Sequence, residues 1–317
     1  MGPESDVIVA TAKGYGWSHF KNYAVSLSES GFRGRKVLFV CDITDIAREV
    51  LTRLGFELVD YISTGNNTVI ERFRIFRDWL AANKHAIRYI VHCDVRDVVV
   101  QSDPSPWMEK QTAKIFGASE AILYRDEFCN PTWIEKLYGK EVLATLQHEH
   151  VVCAGTIAGE ADAVHRLVSR IYESSTDRFG DDQAALNVLL RTEFKDEMVI
   201  PAISEGFILT AGWWLIGDCN GNPDQPIGRR SLLVPMPPVL KDGVAYPYGS
   251  DEPFAIVHQY ERGNAWRPSI DARYSLPWKV DNDASQVKPA RKTTRGGPIK
   301  YAKDGCTIDW FELHNIG

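Results

Sequence analysis

The first hundred residues alternate short apolar runs with longer stretches whose apolar positions recur every three or four residues. The runs are 6–12 (DVIVATA), 36–41 (KVLFVC), 56–61 (FELVDY) and 87–93 (IRYIVHC), each of strand length. Between them, 18–31 and 45–54 suit helices, with Ser18 as an N-cap and Gly31 and Gly55 as stops. Residues 66–85 form a third helix, whose buried face is drawn by Ile70, Phe73, Phe76 and Leu80. Continuous apolar strands alternating with amphipathic helices predict a mostly parallel sheet covered on both faces. Sheets of this kind bind ligands at the carboxyl ends of their strands.

Beyond residue 100 the pattern turns to α+β. Helices are expected at 106–112, 132–147, 160–174 and 181–193. VVCAGTIAG at 151–159 reads as a strand with a glycine-bracketed break. Later strands are expected in GFILTAGWWLIG (206–217), SLLVPMP (231–237) and PFAIVHQYE (253–261). Residues 279–305 are polar and carry seven Lys/Arg, and an apolar tag, TIDWFEL, follows. The expected organisation is one catalytic domain over 1–278 and a basic tail over 279–317 whose apolar end docks back.

Composition narrows the classes. With 44% hydrophobic residues over 317, a large core is within reach and global disorder is not expected. A net charge of −6 argues against a nucleic-acid binder working through a basic field. Six cysteines are scattered with no CxxC pair, which excludes a zinc ribbon and a thioredoxin-type motif. No run approaches the ~20 apolar residues of a membrane span. The first strand opens almost at once, so no signal peptide is expected before it. The expectation is a soluble protein of a reducing cytoplasm, with at most weak membrane contact through the basic tail.

Chemistry concentrates at the end of the fourth apolar run. Residues 92–104 read HCDVRDVVVQSDP, placing Asp94 and Asp97 where that strand ends. Two carboxylates there repel unless a cation lies between them. Mn²⁺ or Mg²⁺ meets that need and completes its shell with substrate phosphates. Along a straight strand the two side chains would point to opposite faces, so they converge only if the chain turns at Val95–Arg96. A plain turn, with Asp97 paired to Arg96, is the structural alternative. Asp103, before Pro104, reads as a turn residue.

Three further landmarks follow in order: CAGTIAG at 153–159, GDDQAALN at 180–187 and IVHQYERG at 256–263. Together with the acidic motif, they resemble the GT-A-fold nucleotide-sugar glycosyltransferases, within them the retaining family-8-like enzymes. The resemblance spans residues 6 to about 266. It implies a Rossmann-like, mixed and mostly parallel sheet flanked by helices, with a smaller acceptor-side α+β portion. By residue match it implies metal ligation by Asp94, Asp97 and His258, with Asp94, Val95 and Arg96 also at the donor nucleotide. The turn after the first strand would hold the base through Ala10, Thr11 and Tyr15. Ala154 and Gly155 would lie at the donor sugar, with Asp182 on its hydroxyls and Gln183 near the anomeric carbon. The chain departs from the family pattern twice. Its acidic motif is D-V-R-D, and Cys153 stands where the family has asparagine.

Other residues carry weaker signals. Lys13, Arg72 and Arg262 are candidates for the diphosphate, as are Lys241 and Arg267. Arg74 and Arg77 lie off the apolar stripe of their helix. Asp181 or Asp182 suits an N-cap, and Asp181 is also placed with the donor. Trp213, Trp214 and Trp266 read first as core, with an acceptor platform as the alternative. The function implied is metal-dependent transfer of a hexose from a nucleoside diphosphate sugar, UDP being commonest among similar enzymes. The acceptor would be a carbohydrate or glycolipid hydroxyl, in glycan or polysaccharide synthesis, with retention. Alternatives are an inverting transferase with His148, His150, Asp181 or Asp182 as base, or a non-catalytic nucleotide- or sugar-binding module. A nucleotidyltransferase fits the first turn poorly, and a hydrolase would act on oligosaccharide without nucleotide.

Overall fold

The computed structural model describes residues 1–127, 129–215, 237–278 and 280. The first half runs β1 Val7–Lys13, α1 Trp17–Glu29, β2 Arg35–Cys41, α2 Asp45–Arg53, β3 Glu57–Asp60, α3 Thr68–Asn83 and β4 Tyr89–Cys93. Next come β5 Val98–Val100, α4 Ser105–Glu109, β6 Ile115–Leu123, α5 Cys129–Tyr138, α6 Lys140–Leu146 and β7 His150–Glu160. The remainder is α7 Ala161–Ser174, α8 Asp181–Arg191, β8 Met198–Val199, β9 Ile208–Thr210, β10 Val239–Lys241, β11 Val244–Tyr246, β12 Ile256–His258 and α9 Trp266–Arg273.

Seven strands form the central sheet in the order β3-β2-β1-β4-β7-β6-β8. All are parallel except β7, which runs antiparallel to both β4 and β6. This is the expected fold class: α/β, with a mixed and mostly parallel sheet flanked by helices. Side chains of β1 alternate between the two faces, as strand geometry requires. Ile8, Ala10 and Ala12 join Phe20, Tyr23 and Leu27 of α1 in one core. Val7 and Val9 join Phe73, Phe76 and Leu80 of α3 and Leu167 and Ile171 of α7 in the other. Burial of both faces explains why the strands read as unbroken apolar runs.

A three-stranded sheet, β5-β12-β9, stands beside the end of β4. Its β5 is the valine run after the acidic motif, and β12 pairs antiparallel to it, with His258 opposite Val98. Where β4 stops, the chain turns before β5 begins, so the two aspartates sit at a strand end, as the sequence implies.

Some expectations change. Helix α1 begins after Gly16, not Ser18, which lies inside the first turn. The helix expected at 132–147 is two, broken at Gly139, whose φ of 89° an L-residue rarely adopts. Strand β7 is continuous, but its register with β6 jumps from Ile157 to Cys153, so the glycine-bracketed stretch is an irregularity in the ladder and not a break in the strand. The long strand expected at 206–217 is only β9, followed by a helical turn at 212–215. Strand β6 is not apparent from the sequence, because KIFGASEAIL mixes strand-forming residues with Gly, Ala, Ser and Glu. Most of SLLVPMP and nearly all of the tail, TIDWFEL included, lie outside the described residues.

Candidate active site

Asp94 follows β4 directly, and its backbone N–H donates to the Gly155 carbonyl of neighbouring β7 (2.9 Å). Asp97 closes the turn before β5. Strand β12 brings in the third group: pairing with β5 sets His258 Nε2 3.5 Å from Asp97 Oδ2 and 3.6 Å from Asp94 Oδ2. Ligand atoms of the three residues lie within 4.8 Å of one another. Gly155 makes this packing possible. A Cβ there would sit 2.3 Å from His258 Cε1 and 2.7 Å from Asp94 Oδ2. Behind the ring, Cys153 Sγ lies 3.6 Å from His258 Nδ1.

The donor set fits a small divalent cation: two carboxylates and one imidazole, held by two strand ends and a turn. One nitrogen among oxygens favours Mn²⁺ over Mg²⁺. Burial pushes both aspartates up, but neighbouring positive charge outweighs it. Arg72, then His258, hold Asp94 well below the usual carboxylate range, and His258 also lowers Asp97. Burial lowers His258, and the field of Asp97, with Asp94, overcomes it and raises the imidazole well above its ordinary value. The group beside these carboxylates is therefore cationic in the chain alone, as the need for a counter-charge requires.

Arg72 of α3 ties this centre to the start of α8. Its guanidinium bonds Asp94 Oδ1, and its other nitrogen donates to Asp182 Oδ2 at 2.7 Å. It is nearly buried, held at Nε by the Val69 carbonyl at 3.1 Å. Burial raises Asp182 despite its partner. Gln183, one residue on, is fixed at both ends of its amide. Oε1 accepts from Ala154 N–H (2.9 Å), while Nε2 donates to Glu120 Oε1 (3.0 Å) and Asn130 Oδ1 (2.8 Å). The Trp213 indole donates to the other oxygen of Glu120 at 2.8 Å. Asn187, one turn along α8, bonds both Val152 N–H and Val152 C=O and locks α8 to β7.

Glu120 owes its position to an irregular strand. Between Ser119 and Leu123, four steps along β6 face only two along β7. Ala121 takes a φ of +57°, a left-handed conformation that costs an L-residue about 1–2 kcal/mol. A bulge of this kind re-aims a side chain. Nearby, Glu127 caps α5, accepting from Cys129 N–H (2.8 Å) and Asn130 N–H (2.5 Å). Burial, with the charge of Glu120, pushes its carboxyl up to about 7.

These groups line one cleft of about 490 Å³. Thirteen of the residues given a metal, donor or catalytic role from the sequence lie on its wall, beside Cys153 and Trp213: Thr11, Lys13, Tyr15, Arg72, Asp94, Val95, Arg96, Asp97, Gly155, Asp182, Gln183, His258 and Arg262. Burial pushes the Tyr15 hydroxyl up to about 12, and its ring stacks on His19. Lys13 donates to Ser63 Oγ (2.6 Å), and Arg96 pairs with Glu261 (3.1 Å). Three residues lie off the wall. Ala10 is buried in β1 between Leu38 and Cys93, and Ala154 contributes backbone only. Asp181 is buried against Thr176 and Arg178.

The weaker candidates separate in the same way. Of the three candidate tryptophans Trp213 lines the cleft, whereas Trp214 and Trp266 belong to the core. Lys241 lies over Tyr246 on the β10–β11 hairpin, and Arg267 faces Asp271. Arg74 and Arg77 pair with acidic neighbours on α3. His148 and His150 bond Arg125 and Ser119 outside the cleft. Asp103 is the turn residue expected, accepting from Ser105 N–H. Sequence reasoning missed Glu120, Glu127, Asn130, Trp133 and Phe179 on the wall. Gly180 leads into α8 against Trp133, where a Cβ would meet the indole at 2.3 Å. The turn signal FGDD at 179–182 was the one available hint of that wall.

No protein-family model matches the chain, and no curated protein matches it in sequence. Among solved structures, that of the galactosyltransferase LgtC in complex with donor and acceptor sugar analogues is similar. The TM-score is 0.48 and the identity 11%, over 86% of this chain and 97% of that one. The chemistry of the site rests on its own side chains.

Proposed function

We propose that residues 1–278 form a metal-dependent glycosyltransferase that moves a hexose from a nucleoside diphosphate sugar to an acceptor hydroxyl. The observation that carries the reading is the Asp94–Asp97–His258 donor set under Gly155, on the wall of a cleft large enough for a nucleotide sugar. Asp94, Asp97 and His258 would hold the ion, Mn²⁺ by preference. Bound there, the ion supplies Lewis-acid neutralisation of the diphosphate. Arg72 keeps Asp94 ionised and oriented. Thr11, whose buried hydroxyl has no hydrogen-bond partner among the described residues, and Tyr15 are proposed for the nucleoside, with Lys13, Arg96 and Arg262 for donor contacts. Asp182 and Gln183 would face the donor sugar, their side chains held so that little reorganisation is needed on binding. Trp213, Trp133 and Phe179 give the cleft flat apolar faces suited to a carbohydrate or glycolipid acceptor. A uridine donor follows from the family resemblance, and the anomeric configuration of the product separates the retention it implies from the inverting alternative.

The test is a thermal-shift series with nucleoside diphosphates, with and without Mn²⁺. A metal-dependent rise with one nucleotide, lost in Asp97→Ala, supports the reading; absence of any such rise overturns it. A second reading, a binding module without turnover, is favoured by Cys153 behind the metal histidine where the resembling enzymes have asparagine. Metal-dependent cleavage of the nucleotide sugar separates the two.

A further inference from the structure

Five carboxylates line the cleft: Asp94, Asp97, Glu120, Glu127 and Asp182. Four are committed. Asp94 and Asp97 face His258, Asp182 is paired with Arg72, and both oxygens of Glu127 cap the first turn of α5. Glu120 has no ion-pair partner among the described residues. Its two contacts are neutral donors, Gln183 Nε2 on one oxygen and Trp213 Nε1 on the other. Each oxygen keeps a free lone pair. Gln183 cannot replace it as a base, because a neutral amide oxygen holds a proton far too weakly, and its Nε2 is a donor only. The backbone is strained to present this side chain: the β6 bulge and the left-handed Ala121 lie immediately at it. Strain of that kind persists where a surrounding site over-determines it.

We propose, resting on the transferase reading, that Glu120 is the proton acceptor of the transfer step. The acceptor oxygen forms its bond to the anomeric carbon. The bond from that carbon to the diphosphate oxygen breaks, its electron pair leaving with the diphosphate. The acceptor hydroxyl's proton passes to Glu120. Gln183 and Trp213 are then positioning residues: they fix the carboxylate through one lone pair on each oxygen. The titratable groups within its field are Glu127, Tyr124 and Cys153. A base here also acts on water when no acceptor sugar is bound.

That last property supplies the test. Wild-type, Glu120→Gln and Glu120→Asp proteins are first compared for Mn²⁺-dependent stabilisation by nucleoside diphosphates. Diphosphate release is then followed from the glucose, galactose, mannose and N-acetylglucosamine esters of the stabilising nucleotide, with water as acceptor, across pH. The expected result is unchanged nucleotide stabilisation in both variants. Glu120→Gln loses at least about 100-fold in kcat. Glu120→Asp turns over at an intermediate rate. A Glu120→Gln protein that stays within about tenfold of wild type overturns the proposal. So does a wild type that binds the nucleotide with Mn²⁺ and cleaves none of the esters. If Glu120→Gln does not fold, Glu120→Asp decides, and a wild-type kcat in that variant overturns the proposal. Failure of the transferase reading itself is seen earlier, as absent Mn²⁺-dependent nucleotide binding by the wild-type protein.

Discussion

His258 and Val98 are register partners in the antiparallel β12–β5 pair, and that pairing sets the His258 imidazole 3.5 Å from Asp97. The contact joins residues 161 positions apart through backbone hydrogen bonds. Gln259 N–H, in turn, donates to the Asp97 carbonyl at 2.8 Å. The three metal-ligand candidates are thus held by backbone geometry at two strand ends. Small changes in the backbone packed against them should disturb metal binding before they disturb the fold.

Gly155→Ala tests this. The new methyl would lie 2.3 Å from His258 Cε1, so the imidazole must move. Mn²⁺ affinity, measured by isothermal titration, is expected to fall at least about tenfold, with the far-ultraviolet circular dichroism unchanged.

Arg72 is the electrostatic keystone between α3, β4 and α8. Arg72→Met leaves Asp182 buried without its partner and Asp94 without its strongest counter-charge. Breaking a buried pair from one side costs about 3–5 kcal/mol. Urea denaturation should show a loss of that order, and adding Asp182→Asn to the same chain should recover part of it.

Asn187 has the same kind of role without charge. Wholly buried, it bonds both backbone groups of Val152 and the Gln183 carbonyl. Asn187→Ala strands the two Val152 groups away from water, at about 1–3 kcal/mol each. The expected signature is lower stability, read by urea denaturation, with amide exchange accelerated first along β7.

Glu127 predicts a pH dependence. Its folded pKa is raised from 4.5 to about 7, so the folded state holds the proton more tightly than the unfolded state. Its stabilising contribution is full below about 4.5 and is lost as pH rises towards 7. The total is about 3 kcal/mol, since one unit of pKa is about 1.4 kcal/mol. Denaturation of Glu127→Gln between pH 4.5 and 7 should lack that share of the slope; an unchanged slope contradicts the assignment.

Much of this was legible in the sequence where a single run of residues carries the physics. The apolar runs ending at Cys93 and at His258 mark strand ends, and a turn at Val95–Arg96 was needed for Asp94 and Asp97 to converge. The structure has that turn. The acceptor-side wall was not legible. Glu120 sits in a strand of weak formers, at a bulge whose register depends on β7, some thirty residues on. Trp213 and Trp214 looked equivalent within an apolar run. A helical turn at 212–215 sends one to the cleft and the other into the core. Arg72 was visible only as a candidate for the diphosphate. Its burial between two aspartates depends on α8 packing more than a hundred residues away.

The central claim is that Asp94, Asp97 and His258 hold a divalent ion together with a nucleoside diphosphate. Anomalous diffraction at the manganese edge, from crystals grown with Mn²⁺ and the stabilising nucleotide, tests it most directly. The account predicts one strong peak bonded to all three side chains, with the diphosphate on its open side. Nucleotide bound in the cleft with no manganese at these residues would contradict it.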